Sequence, residues 1–123
     1  MKYYAKIISL NKDIEEEVIL SFGECEICCF INDFPTSLRV GDIHLVELGF
    51  MFLNSVKIKP SKDRNTLLKQ QGNTFSYEMN GYLVGDRLFL SNLVFQDDLL
   101  YECSYLENEY VKVYPDRITV SFL

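Results

Sequence analysis

Three cysteines stand together as C-x-x-C-C at Cys25, Cys28 and Cys29, and a fourth follows at Cys103. Thiols so spaced suggest either a tetrahedral metal site or a nucleophile activated by the single histidine, His44. A metal knuckle carries its C-x-x-C on a turn. Here the pattern lies in a run of strand formers, so Cys25 and Cys28 are expected on opposite sides of a pleated strand. Cys25 and Cys29 share a side, but their Cα atoms would stand about 7 Å apart, beyond an unstrained disulfide. A nucleophile built from Cys28 or Cys29 with His44 needs neighbouring strands, a depressed thiol pKa and an orienting third group. No third group is recognisable. Core packing is therefore the expectation for the thiols, and a rim position at a strand start for His44.

Carboxylates form the second constellation. Asp97, Asp98 and Glu102 crowd one strand entry and could attract a hard cation, but their spacing is not that of a calcium loop. There is no phosphate-binding loop, dinucleotide fingerprint, G-x-S-x-G or H-E-x-x-H. The expectation is thus no catalytic, metal-binding or cofactor-binding residue, and no cofactor.

What remains is surface chemistry. The net charge of −6 disfavours general nucleic-acid binding, which needs clustered Lys and Arg. Asp97, Asp98, Glu102, Glu107 and Glu109 follow one another with no cation between them. Asp13, Glu15, Glu16, Glu17, Glu24 and Glu26 form a second acidic region. Lys57, Lys59, Lys62, Arg64 and Lys69 form the opposing basic segment, countered only by Asp63. Tyr77, Tyr82, Tyr101, Tyr105, Tyr110 and Tyr114 crowd the second half. Tyrosines serve protein interfaces well, and they also sit half-buried in small sheets with the hydroxyl at the rim. The function expected is a non-enzymatic binding module that recognises a basic protein through Asp97, Asp98, Tyr101, Glu102, Tyr105 and Glu107. By analogy, small acidic bacterial proteins of this kind neutralise toxins as immunity proteins. Two alternatives are a single-stranded nucleic-acid binder using the basic segment beside exposed aromatics, and an enzyme built on Cys28 or Cys29 with His44.

The elements that must position these residues read mostly as strands. With 123 residues, nine Phe, eight Tyr and 48% hydrophobic residues, one domain over residues 1–123 with its own core is expected. Lys2 to Leu10, Glu16 to Phe22 and Glu24 to Ile31 alternate like strands, and Asn32-Asp33-Phe34-Pro35 breaks the third. Gly41-Asp42 turns into Ile43 to Phe50, and Met51 to Pro60 extends further. Ser61 to Asn73 is the non-strand segment, a short helix near residues 63–71 or a loop. Phe75 to Val84, Arg87 to Phe95, Leu99 to Leu106, Tyr110 to Tyr114 and Arg117 to Phe122 follow as strands. The fold class expected is all-β, a single small Greek-key barrel of OB-like pattern with at most that one helix.

The stretch CFINDFPTSLRVGDIHLVEL, with Asn80-Gly81-Tyr82 and Phe95-Gln96-Asp97-Asp98 further on, resembles small uncharacterised bacterial proteins. The resemblance implies a bacterial source and a barrel fold, and no activity. The start, MKYYAKIISLNKDIEEE, has too short an apolar part for a secretory signal, and no run spans a bilayer, so a cytoplasmic protein without membrane contact is expected. An unpaired sheet edge would allow a homo-oligomer.

Overall fold

The computed structural model describes residues 1–33 and 37–123, and the strand break read at Phe34-Pro35 lies outside them. Among the described residues, eleven strands follow in chain order. They are β1 (Lys2–Leu10), β2 (Glu17–Ser21), β3 (Glu26–Asp33), β4 (Ile43–Met51), β5 (Ile58–Pro60), β6 (Leu67–Gln70), β7 (Tyr77–Val84), β8 (Arg87–Phe89), β9 (Val94–Gln96), β10 (Glu109–Val113) and β11 (Arg117–Phe122). Among the described residues, no helix is long and apolar enough to cross a membrane. The chain is mostly sheet, as its β-branched and aromatic content suggests.

Five strands close on themselves in the order β1-β2-β3-β11-β4. Every pairing in the ring is antiparallel except β3 with β11, which is parallel. Period-two alternation sets the register. Ile7 faces Leu20, Leu20 faces Ile27, Val18 faces Cys29, and Ile118 and Val120 face Phe50 and Leu48. All of these side chains are buried, so a slip of one residue would turn the whole set outward.

The other six strands form a second sheet, inserted between β4 and β11 of the ring. Its order is β5-β10-β7-β8-β9, and β6 shares with β8 the remaining side of the long β7. The inner face carries Met79, Leu83, Leu88, Phe95, Val111 and Val113, all fully buried. The two sheets meet through aromatic contacts. Phe50 stacks on Phe95 at 5.3 Å, and Phe30 meets Phe75 edge-on at 5.5 Å. The Tyr77 hydroxyl accepts the Cys28 backbone N–H at 2.8 Å, where β3 has not yet met β11.

Four expectations need correction. The strands divide between a ring and a second sheet rather than all joining one barrel. Residues 63–71 hold no helix: Leu67–Gln70 pairs with β7 as a strand, and an Asp63 turn precedes it. Leu67 and Leu68 are adjacent strand residues on opposite faces. The helical segment is instead Asp98–Leu106, where a strand was expected, in 3-10 geometry with a kink at Cys103. Its spacing of Leu100, Cys103 and Leu106 is three residues, the period of a 3-10 turn, and these are its buried positions. Arg87 to Phe95 is also two strands, turned by a Leu90-to-Leu93 backbone hydrogen bond.

Candidate functional site

The cysteines lie where a strand pleat puts them. Cys29 points into the ring, Cys28 points out beneath the second sheet, and both are buried. All four thiols are free. Burial pushes the Cys28 thiol up to about 11, with Glu17 adding to it, and drives Cys29 higher still. Burial also raises Cys25 and Cys103, each beside a carboxylate, Glu24 and Glu102. These environments suppress thiolate rather than form it. His44 lies on β4, and β11 separates β4 from β3, so the neighbouring strands that a Cys28 or Cys29 pair with His44 requires do not exist. His44 instead packs edge-on against Phe122 at 5.4 Å, with Asp42 at 4.0 Å. A cavity of about 90 Å³ beside Cys25 is lined by Leu67, Leu68, Leu90 and Leu93 and has room for little beyond water. Among the described residues, no three His, Cys, Asp or Glu side chains are placed to hold a metal ion.

Asp97 stands apart from the other carboxylates. One of its oxygens accepts the Leu99 N–H at 3.0 Å and caps the 3-10 segment. The other accepts the Phe50 N–H of β4 at 2.9 Å. Its place is therefore structural: it ties the helical segment to the ring. Asp98, Tyr101, Glu102, Tyr105 and Glu107 lie exposed beyond it. Tyr101 is 58% and Tyr105 75% exposed, high values for tyrosines, while Leu100, Cys103 and Leu106 anchor the opposite side. The helical segment thus gathers five of the six expected partner residues onto one acidic, aromatic ridge. A polar groove of about 410 Å³ lies behind it, lined by Asn32, Glu47, Gly49, Asp98, Thr119 and Ser121 among others.

The basic segment divides. Lys57 is paired with Asp116 at 3.4 Å, and that carboxyl also accepts the Leu53 N–H. The Leu53 bond and the Lys57 ammonium hold the Asp116 carboxyl below its ordinary value. Lys59, Lys62, Arg64 and Lys69 are exposed. Lys59 lies 5.5 Å from the centre of the Tyr114 ring, and Arg64 lies 5.8 Å from that of Tyr110. Sequence reasoning missed Lys112, on the same face. Its register partners, Lys59 and Asn80, become neighbours only when the sheet forms. It also did not separate the tyrosines. Tyr77 is buried between the sheets, its hydroxyl pushed up to about 12 by burial, whereas Tyr82, Tyr110 and Tyr114 lie half-buried on the outer face.

A family model described as Uncharacterised conserved protein UCP019853 matches residues 1–123. No curated protein and no solved structure matches the chain.

Proposed function

The chain belongs to this family of uncharacterised conserved proteins, and from its surface chemistry we propose that it is a non-enzymatic module that binds a basic protein. The observation that carries the reading is the ridge of Asp98, Tyr101, Glu102, Tyr105 and Glu107. Two tyrosines project from a short helical segment whose other side is anchored in the core. Exposed tyrosines combine apolar area with few rotatable bonds, which suits the centre of an interface. Carboxylates around them steer a cationic partner inward and penalise an acidic one. A toxin-neutralising, immunity-protein-like role is one instance of this chemistry.

An OB-like reading of the ring is part of the proposal. Its support is the five-strand closure with one parallel pair, a Greek-key return of β11 to the side of β3. The four free thiols support a reducing, cytoplasmic setting.

The test is affinity capture from the source cell with three baits: wild type, Asp98→Lys/Glu102→Lys/Glu107→Lys, and Tyr101→Ala/Tyr105→Ala. All five positions are exposed, so the variants keep their fold. A basic protein retained by wild type and lost by both variants is the expected result. Capture that both variants leave unchanged, or a retained partner that is acidic, overturns the proposal.

A further inference from the structure

The outer face of the second sheet has a character opposite to that of the protein. Strand register sets Lys59 beside Lys112 and Tyr110 beside Tyr82, and Tyr82 beside Phe89. Lys69 lies opposite Glu78, which also meets Lys112 at 3.4 Å. In a chain of net charge −6, this face sets Lys59, Lys69 and Lys112 against Glu78, and along the chain Lys112 stands between Tyr110 and Tyr114. Such a local reversal concentrates anions even on an acidic protein.

A cleft of about 440 Å³ opens at one end of this face, lined by Lys62, Arg64, Tyr82, Asn108, Glu109 and Tyr110 among others. That volume lies in the range of small-ligand sites. Tyr82 and Tyr110 form its aromatic wall, edge to face at 5.3 Å. The loop carrying Lys62 and Arg64 is held in place from beneath. Asn80, fully buried on β7, donates from its side-chain amide to the backbone oxygens of Asp63 and Asn65 at 2.9 and 2.8 Å. The Ser61 N–H bonds the Tyr110 carbonyl at 2.9 Å, and the Asp63 carboxylate accepts the Asn65 N–H at 2.9 Å. The backbone that carries the two exposed cations is thus held beside the aromatic wall before any ligand arrives, and Arg64 already lies 5.8 Å from the centre of the Tyr110 ring, which lowers the ordering cost of binding.

We propose that this cleft binds a nucleotide unit, with the base against Tyr82 and Tyr110 and the phosphate on Lys62 and Arg64. Every base offers a π-face to an aromatic wall, and the guanidinium fork matches phosphate oxygens. Asn108 and Glu109 offer a donor and acceptors to sugar hydroxyls or a base edge. The unit comes from a free nucleotide or from a single strand, and both present the same base and phosphate. The site lies on the second sheet, and its Asn108 and Glu109 follow directly on Glu107 of the acidic ridge.

Fluorescence anisotropy of a fluorescein-labelled single-stranded oligonucleotide, titrated at low salt and competed with adenosine monophosphate, tests the assignment. Binding is expected to weaken as salt rises. Tyr110→Ala should lose affinity about tenfold or more, and Tyr110→Phe should restore it, since stacking needs the ring and not the hydroxyl. Lys62→Glu and Arg64→Glu, both at exposed positions, should each weaken binding without disturbing the fold. Competition by the mononucleotide identifies a free-nucleotide site, and competition by unlabelled strand alone identifies a strand site. Either supports the cleft. No binding up to about 100 µM protein, the weak end of non-specific strand binding, overturns it. So does binding that Arg64→Glu leaves intact, or binding of heparin as tight as that of the strand and indifferent to Tyr110→Ala.

Discussion

Cys28 and Tyr77 are buried at the contact of the two sheets and Cys29 inside the ring, and none of them ionises readily there. Burial is the main cause for all three. Desolvation penalises thiolate and phenolate, and for Tyr77 the Cys28 N–H bond offsets it in part. Unfolding returns the thiols to an ordinary value of 9.0 and the phenol to 10.0. The native values are higher, so above pH 9 the unfolded chain releases protons that the native chain retains, and the balance moves toward unfolding. Stability from these groups is full below that pH and falls as pH rises through the native values. The urea midpoint should therefore fall between pH 9 and 11, and the fall should be shallower in Cys29→Ala. A midpoint that does not change over this range would contradict the burial. Asp116 acts in the opposite direction, because its lowered carboxyl favours the native state until acid protonates it.

Between elements, two close approaches matter more than composition. Gly81 lies on β7 beside its partner β8, and a Cβ there would fall 2.6 Å from the Phe89 backbone oxygen. Backbone cannot turn aside as a side-chain tip can, so Gly81→Ala must push the strands apart. The expected cost is about 1–3 kcal/mol, read as a lower urea midpoint with the slope unchanged. On the edge strand β9, the Tyr3 hydroxyl accepts from the Val94 N–H at 2.7 Å and lies 3.2 Å from the Val94 carbonyl. This contact occupies part of an edge that could otherwise recruit a second chain. The strand readings of Lys2 to Leu10, Ile43 to Phe50 and Arg117 to Phe122 agree with β1, β4 and β11 to within a residue or so. In each, apolar residues two positions apart are buried: Ala5 and Ile7, Val46, Leu48 and Phe50, and Ile118 and Val120. The Leu99 to Leu106 reading failed because Leu100 and Tyr101 through Leu106 satisfy a period of two as loosely as a period of three. The Asp97 cap, which chooses between them, depends on Phe50 for half its bonds.

On the scale of the molecule, Phe95 joins the ring and the second sheet, since it is fully buried and stacks on Phe50 of β4. Removing it should destabilise both at once. Phe95→Ala is expected to cost about 3–5 kcal/mol, with far-UV circular dichroism and tyrosine fluorescence losing structure at the same urea concentration. Two separate transitions would show that the sheets fold independently. The acidic run around Asp98 and Glu102 and the basic run around Lys62 and Arg64 were both visible in the chain order. That Asp97 is absorbed by capping, that Lys57 is neutralised by Asp116, and that Lys112 and Tyr82 belong with Arg64 were not visible there. Alternation of side chains is local, so the sequence alone determined that this protein would be built of strands. Which strands adjoin, and hence which charges and rings share a surface, depends on pairings between residues tens of positions apart. Only the tertiary structure decided those, because each is selected by how the buried faces of two sheets fit together.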